Sequence, residues 1–207
     1  MSPGPRLPFD DLRRLTGPNL YFAEPGAVLE TMVGAPVPAA LIADWRRRIA
    51  RARAALGWPD GPLAVRAHAS GASLAFAAPG DRLYAAADVH EWAWLSALAA
   101  AGMDTGEPAL QPGHPPLDDE AAALRLLCTV AAAERLPRLP ALREGAAARG
   151  LPLLLDDAQL SIGLGTGSRT WDNHALPVPG DVPWPELHSI PVALVTGSNG
   201  KTTTVRL

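Results

Sequence analysis

Ile190-Pro191-Val192-Ala193-Leu194-Val195-Thr196-Gly197-Ser198-Asn199-Gly200-Lys201-Thr202-Thr203-Thr204 is the stretch on which the reading of this chain turns. Its first six residues form an almost unbroken apolar run, the pattern of a strand inside a parallel sheet. A glycine turn and Lys-Thr follow directly, where a helix would begin. Strand, glycine turn and helix N-terminus in that order make a phosphate cradle. Gly197 and Gly200 let the backbone turn tightly and approach an anion with no Cβ in the way. Exposed N–H groups of the turn and first helical residues then point at phosphate oxygens. Thr196, Gly197, Ser198, Asn199, Gly200, Lys201, Thr202 and Thr203 are the candidate nucleotide-binding residues. Lys201, a mobile point charge able to reach β and γ phosphates, is the candidate catalytic residue. Thr202 carries the hydroxyl suited to Mg²⁺.

Composition points to the same place. Of 18 Lys plus Arg, every one except Lys201 is arginine. A compact, flexible ammonium is not interchangeable with a guanidinium. The net charge of −3 supplies no basic field for nucleic acid. A single cysteine excludes an internal disulfide and a multi-cysteine metal site. No apolar run approaches the ~20 residues of a membrane span, and no signal-peptide pattern opens the chain, so a cytoplasmic protein without a membrane partner is expected. The 22 prolines and 19 glycines predict many turns.

The loop departs from the general G-x-x-x-x-G-K-[ST] spacing, because Val195 stands where the first glycine would be. The shorter form T-G-S-N-G-K-T-T-T closely resembles the nucleotide loop of the Mur ligase family, T-G-T-N-G-K-T-T, with Ser198 keeping the hydroxyl. A second resemblance lies upstream. Arg13-Arg14-Leu15-Thr16-Gly17-Pro18-Asn19, followed by Val28-Leu29-Glu30, is similar to the opening of cyanophycin synthetases, which also carry a Mur-type domain. The Leu-rich strand before Asp156-Asp157 and the stretch 159–167 are similar to their N-terminal region. In those enzymes an ATP-grasp domain separates that region from the Mur-type loop; here only 166–189 intervenes. The resemblance implies an ATP- and Mg²⁺-dependent ligase that joins a carboxylate to an amine, of small-molecule or peptide substrates, through an acyl phosphate. A Mur-type centre also needs further strands, acidic and histidine Mg²⁺ ligands, a modified lysine and an amine-substrate domain. The 207 residues are therefore expected to be the front piece of a longer ligase, inactive alone.

The expected fold class is α/β. Residues 1–165 form a mixed α+β N-terminal domain and 166–189 a Pro/Gly-rich linker. Residues 190–207 supply the first strand, phosphate loop and helix start of a Mur-type ATPase domain. Within the first domain, helical spacing predicts a short helix over 9–15 and a long one over 41–56, where Leu41, Trp45, Ile49 and Ala52 share a face. Strands are expected over 19–22, 27–33, 63–68, 72–77, 83–87 and 151–155, with a turn at Ser70-Gly71 and another strand carrying Leu160, Ile162 and Leu164. Asp88 with Glu91 three residues on reads as the cap of a helix running to about Ala101. Further helices are expected from Asp118 to Arg135 and over 138–149.

Other features carry weaker chemistry. Arg46, Arg47, Arg48, Arg51 and Arg53 could bind an anion but read better as a solvated helix face. Gly163, Gly165 and Gly167 have the wrong offsets for a dinucleotide fingerprint and read as a strand end and loop. His68 and His90 read as partly buried structural residues, and His114, His174 and His188 as loop residues without metal-ligand spacing. Cys128 reads as core, Asp156-Asp157 as a turn, and Trp171-Asp172-Asn173-His174 as a possible substrate contact. Two rivals stand beside the ligase reading: another P-loop ATPase or kinase, and a substrate-binding or assembly module attached to a ligase.

Overall fold

Antiparallel pairing organises the first half of the chain. The computed structural model describes residues 9–32, 34–106 and 111–192, which divide into two compact units at Arg135/Leu136. The first unit holds β1 (Asp11–Leu15), β2 (Gly26–Met32), α1 (Ala39–Leu56), β3 (Leu63–His68), β4 (Gly71–Ala77), α2 (Leu83–Ala100) and α3 (Glu120–Glu134). Its sheet has the order β1-β2-β4-β3, with every pair antiparallel. Ala27 and Leu29 of β2 and Ala72, Leu74 and Phe76 of β4 alternate along their strands and enter the helix-covered core.

The expected helix over 41–56 forms as α1, burying Leu41, Trp45, Ile49 and Ala52. Gly57 closes it with φ 64°, a left-handed turn that glycine adopts without strain. The expected β3–β4 hairpin also forms, with Leu63↔Phe76 and His68↔Gly71 in register.

Helix α2 packs against β1 and β2 and against both α1 and α3. Neighbours on so many sides explain why it is apolar nearly all round. It begins at Leu83, so 83–87 is not a strand and Asp88 is not a cap. No local side chain caps this end. The Glu134 carboxylate, from the far end of α3, accepts the Tyr84 and Ala85 amides at 2.8 and 2.7 Å. The Ala-rich segment 83–87 has high intrinsic helix propensity, and a distant carboxylate satisfies its amides.

Two other expectations change in this unit. Residues 9–15 contain strand β1 and no helix, because Leu12 pairs opposite Leu29 and adds to the sheet. Spacing of Phe9, Leu12 and Leu15 by three fits a helix, but both Phe9 and Leu12 pack on the core beside the strand edge. Residues 19–22 form an Asx turn in place of a strand: Asn19 Oδ1 accepts the Tyr21 and Phe22 amides at 2.8 and 3.1 Å.

The second unit holds α4 (Leu139–Ala147), β5 (Leu153–Leu155), β6 (Gln159–Ile162) and β7 (Arg169–Asp172). The strands form an antiparallel sheet in chain order. The stretch 166–189, expected as a linker, supplies β7 and three short 3-10 turns, and buries Leu176, Val182 and Leu187 with Leu139, Leu142, Leu160 and Ile162. Its prolines shape a packed segment. Trp184 shows how: its indole N–H donates to Pro179 O at 2.9 Å and its ring sits where a Cβ on Gly145 would be. The described residues are thus mixed α and β, with two antiparallel sheets among them.

Candidate functional site

Residues Thr196, Gly197, Ser198, Asn199, Gly200, Lys201, Thr202 and Thr203 lie outside the described residues, together with 193–195 of the expected strand. The approach to them is described. His188 N donates to Gly167 O at 3.0 Å, Leu164 N to His188 O at 3.1 Å, and Ile190 N to Leu164 O at 3.4 Å. Leu164 and Ser189 make a parallel bridge. The contact is built on glycines at 163, 165 and 167; at Gly165, where φ is 62°, a Cβ would run into the Ile190 side chain. A Cβ on Gly163, where φ is 86°, would lie 2.5 Å from Gly167 O, and one on Gly167 would lie 2.5 Å from the His188 ring and carbonyl. The glycines at 163 and 167 therefore form a notch that grips 188–190, six residues before Thr196. Their chemistry is close backbone approach, in line with a strand end and loop.

Arg47, Arg48, Arg51 and Arg53 of α1 are occupied by structure. Arg47 and Arg48 pair with Asp44 at 2.9 and 3.0 Å, and Arg51 pairs with Glu120 at 2.9 Å. Arg53 differs from the expected solvated face: it is buried and donates to Gly61 O, Pro62 O and Ala77 O at 2.8, 3.2 and 2.6 Å. Burial lowers its pKa, opposed by Asp60. The guanidinium stays charged and ties the end of α1 to the β3–β4 pair.

Other side chains are placed as follows. His68 is exposed, beside Ser70, and not partly buried. His90 is fully buried. Cys128 is half-buried, its Sγ 3.5 Å from Ala55 O. Asp156 Oδ1 accepts the Ala158 and Gln159 amides, which makes the expected turn. Asp172 Oδ1 accepts the His174 amide and Asn173 donates to Asp156 O, so this segment is held by local bonds, while Trp171 packs on the second core. Among the described residues, no three His, Cys, Asp or Glu side chains are placed to hold a metal ion.

One constellation was not foreseen. Asp88 and Glu91, three residues apart on α2, share a face and line a cleft of about 370 Å³ with His114, Leu127 and Val130. The loop bearing His114 is pinned by Trp92 Nε1, which donates to Pro116 O at 3.1 Å. His114 is nine-tenths buried; Nδ1 is 2.7 Å from Pro115 O and Nε2 is 3.8 Å from Glu91 Oε1. Burial raises both carboxyl pKa values, and His114 opposes this. The Asp-x-x-Glu spacing was the available signal, but it reads equally as a capping box. No protein-family model and no curated protein matches the chain.

Proposed function

We propose that the protein takes part in ATP-dependent amide formation between a carboxylate and an amine, with the loop 196–203 holding the nucleotide. The observation that carries this reading is Lys201, the sole lysine, set in T-G-S-N-G-K-T-T directly after an apolar segment. In the proposed reaction a carboxylate oxygen attacks the γ-phosphorus and ADP leaves. The amine nitrogen then attacks the acyl carbon and phosphate leaves. Lys201 offsets negative charge as the phosphoryl group moves, and backbone N–H groups of Gly197 to Thr202 hold the polyphosphate. Thr202 is the residue assigned to Mg²⁺, which when bound shields the phosphate oxygens.

The notch at Gly163 and Gly167 supports the reading by holding residues 188–190, a few positions before the loop, in a fixed place. A phosphate loop works only if its backbone donors are held in position. The mixed α and β unit before it is assigned to positioning the acyl substrate or supporting the ligase core. The test is transfer of ¹⁸O from substrate carboxylate to inorganic phosphate by the intact gene product. Label in phosphate is expected; label-free phosphate during amide formation overturns the acyl-phosphate route.

A further inference from the structure

We propose that the docking of α3 and residues 111–117 onto α2 is a proton-driven switch, tight in mild acid and loosened as pH rises, with Asp88, Glu91 and Glu134 as its sensing groups. The inference does not rest on the ATP loop.

Little apolar surface holds α3 in place. Its buried residues are Ala123, Leu127 and Ala131, with Leu124 and Val130 packed partly against the core. Two of the three buried side chains are single methyl groups, so their burial contributes little. Carboxyls crowd the same junction. Asp88 and Glu91 of α2 line the cleft against Leu126, Leu127 and Val130 of α3. Glu134 of α3 reaches the Tyr84 and Ala85 amides of α2, and Asp81, just before α2, is buried and acts on Glu134. The positive groups facing these acids are Arg82, with Nε 3.8 Å from Asp81 Oδ2, and, when protonated, His114, with Nε2 3.8 Å from Glu91 Oε1. Both separations exceed hydrogen-bond length. Other cations nearby are engaged elsewhere: Arg48 and Arg51 of α1 pair with Glu120 in the first turn of α3, and Arg14 of β1 lies over the Tyr84 ring.

Docking takes water away from these carboxyls, and an ionised carboxylate loses more by this than a neutral carboxylic acid. Burial accordingly raises the pKa of Asp88 above its ordinary 3.8, and those of Glu91 and Glu134 above their ordinary 4.5. The neighbouring acids add to this, Asp88 at Glu91, and Asp81 and Asp88 at Glu134. His114 opposes it at Asp88 and Glu91, and the two amides oppose it at Glu134. Undocked carboxyls return to water and to their ordinary values, so the docked state binds protons more tightly. Docking therefore gains as pH falls toward the carboxyl range and is weakest when all three groups are ionised. A protonated Glu134 still presents a carbonyl oxygen to an amide, so the cap at the start of α2 is thinned and not lost. A helix with so thin an apolar contact opens ahead of the core it covers.

The experiment is amide hydrogen exchange of the full chain at about pH 7.5, 6.0 and 4.5, expressed as protection over the intrinsic rate at each pH. Leu127 reports α3, and Ile49, in the middle of α1, reports opening of the whole unit. At pH 7.5 Leu127 should be less protected than Ile49, and its protection should rise about threefold or more by pH 4.5. The combined variant Asp88→Asn, Glu91→Gln, Glu134→Gln imitates the protonated junction, and each new amide keeps an acceptor oxygen. Leu127 in that variant should reach the parent's acid protection already at pH 7.5 and lose most of its pH dependence. The proposal is overturned by Leu127 protection that is flat or falls toward acid. It is also overturned by equal protection of Leu127 and Ile49 at pH 7.5, which would mean that α3 opens only with the whole unit, or by a combined variant that keeps the parent's pH dependence. Should the combined variant not fold, the parent's Leu127 profile decides alone. A Lys201→Ala chain should give the parent's profile, which separates this test from that of the ATP loop.

Discussion

The His90 imidazole is stacked on the Trp45 indole, ring centroids 5.4 Å apart and 27° from parallel, with neither ring nitrogen hydrogen-bonded among the described residues. Phe76 meets the same imidazole edge-on at 5.2 Å. A histidine so enclosed is held neutral. Burial lowers its pKa from the ordinary 6.5 to about 3. The unfolded chain takes up a proton below 6.5 and the folded chain does not until about 3. Stability is therefore whole above pH 6.5 and falls as pH drops through that window, by about 1.4 kcal/mol per unit.

His90→Leu should remove this dependence. It also deletes two buried nitrogens without partners, so the variant should be more stable at pH 7 by about 1–3 kcal/mol. Asp88, Glu91 and Glu134, whose pKa values burial raises, act in the opposite direction as pH falls. The difference between parent and variant isolates His90. Urea unfolding at pH 7.5, 6.0 and 4.5 measures it; parallel pH curves for the two proteins would contradict the assignment.

Glu134 and the first turn of α2 give a second prediction. Its two oxygens accept the Tyr84 and Ala85 amides at 2.8 and 2.7 Å. Glu134→Ala leaves both amides without a side-chain acceptor and should cost about 1–2 kcal/mol. Hydrogen exchange should speed up at residues 84 and 85 before it changes in the middle of α2. Unchanged exchange at those two amides would show that the cap contributes nothing.

Gly167 carries the third. A Cβ there meets both the ring and the carbonyl of His188 at about 2.5 Å. Gly167→Ala should break the grip on 188–190 and destabilise the second unit by about 1–3 kcal/mol. Gly180, where no atom lies within 4 Å of an added Cβ, is the matched control, and Gly180→Ala should be close to neutral. Equal stability of the two variants, read by thermal melts, would refute the notch.

Much of the first unit was legible because its signals are local. Apolar spacing from Leu41 to Ala52 and the stop at Gly57 define α1, and Ser70-Gly71 marks the β3–β4 turn. The start of α2 was not legible, since its cap comes from Glu134, fifty residues downstream of Tyr84. Leu12 gives the same apolar spacing in a helix or an edge strand, and only pairing with Leu29 decides. Prolines from 177 to 185 read as a linker, but Leu176, Val182 and Leu187 find a core made by α4 and β6. For the site, the proposed nucleotide loop at 196–203 rests wholly on sequence. The cleft of Asp88, Glu91 and His114 needed the fold, because twenty-three residues separate Glu91 from His114.

Lys201→Ala in the intact gene product tests the central claim most directly, by equilibrium ATP binding and rate of amide formation measured side by side. Removing the one ammonium from the loop should lower both by on the order of a hundredfold. Undiminished ATP affinity together with an unchanged synthetic rate would contradict the account.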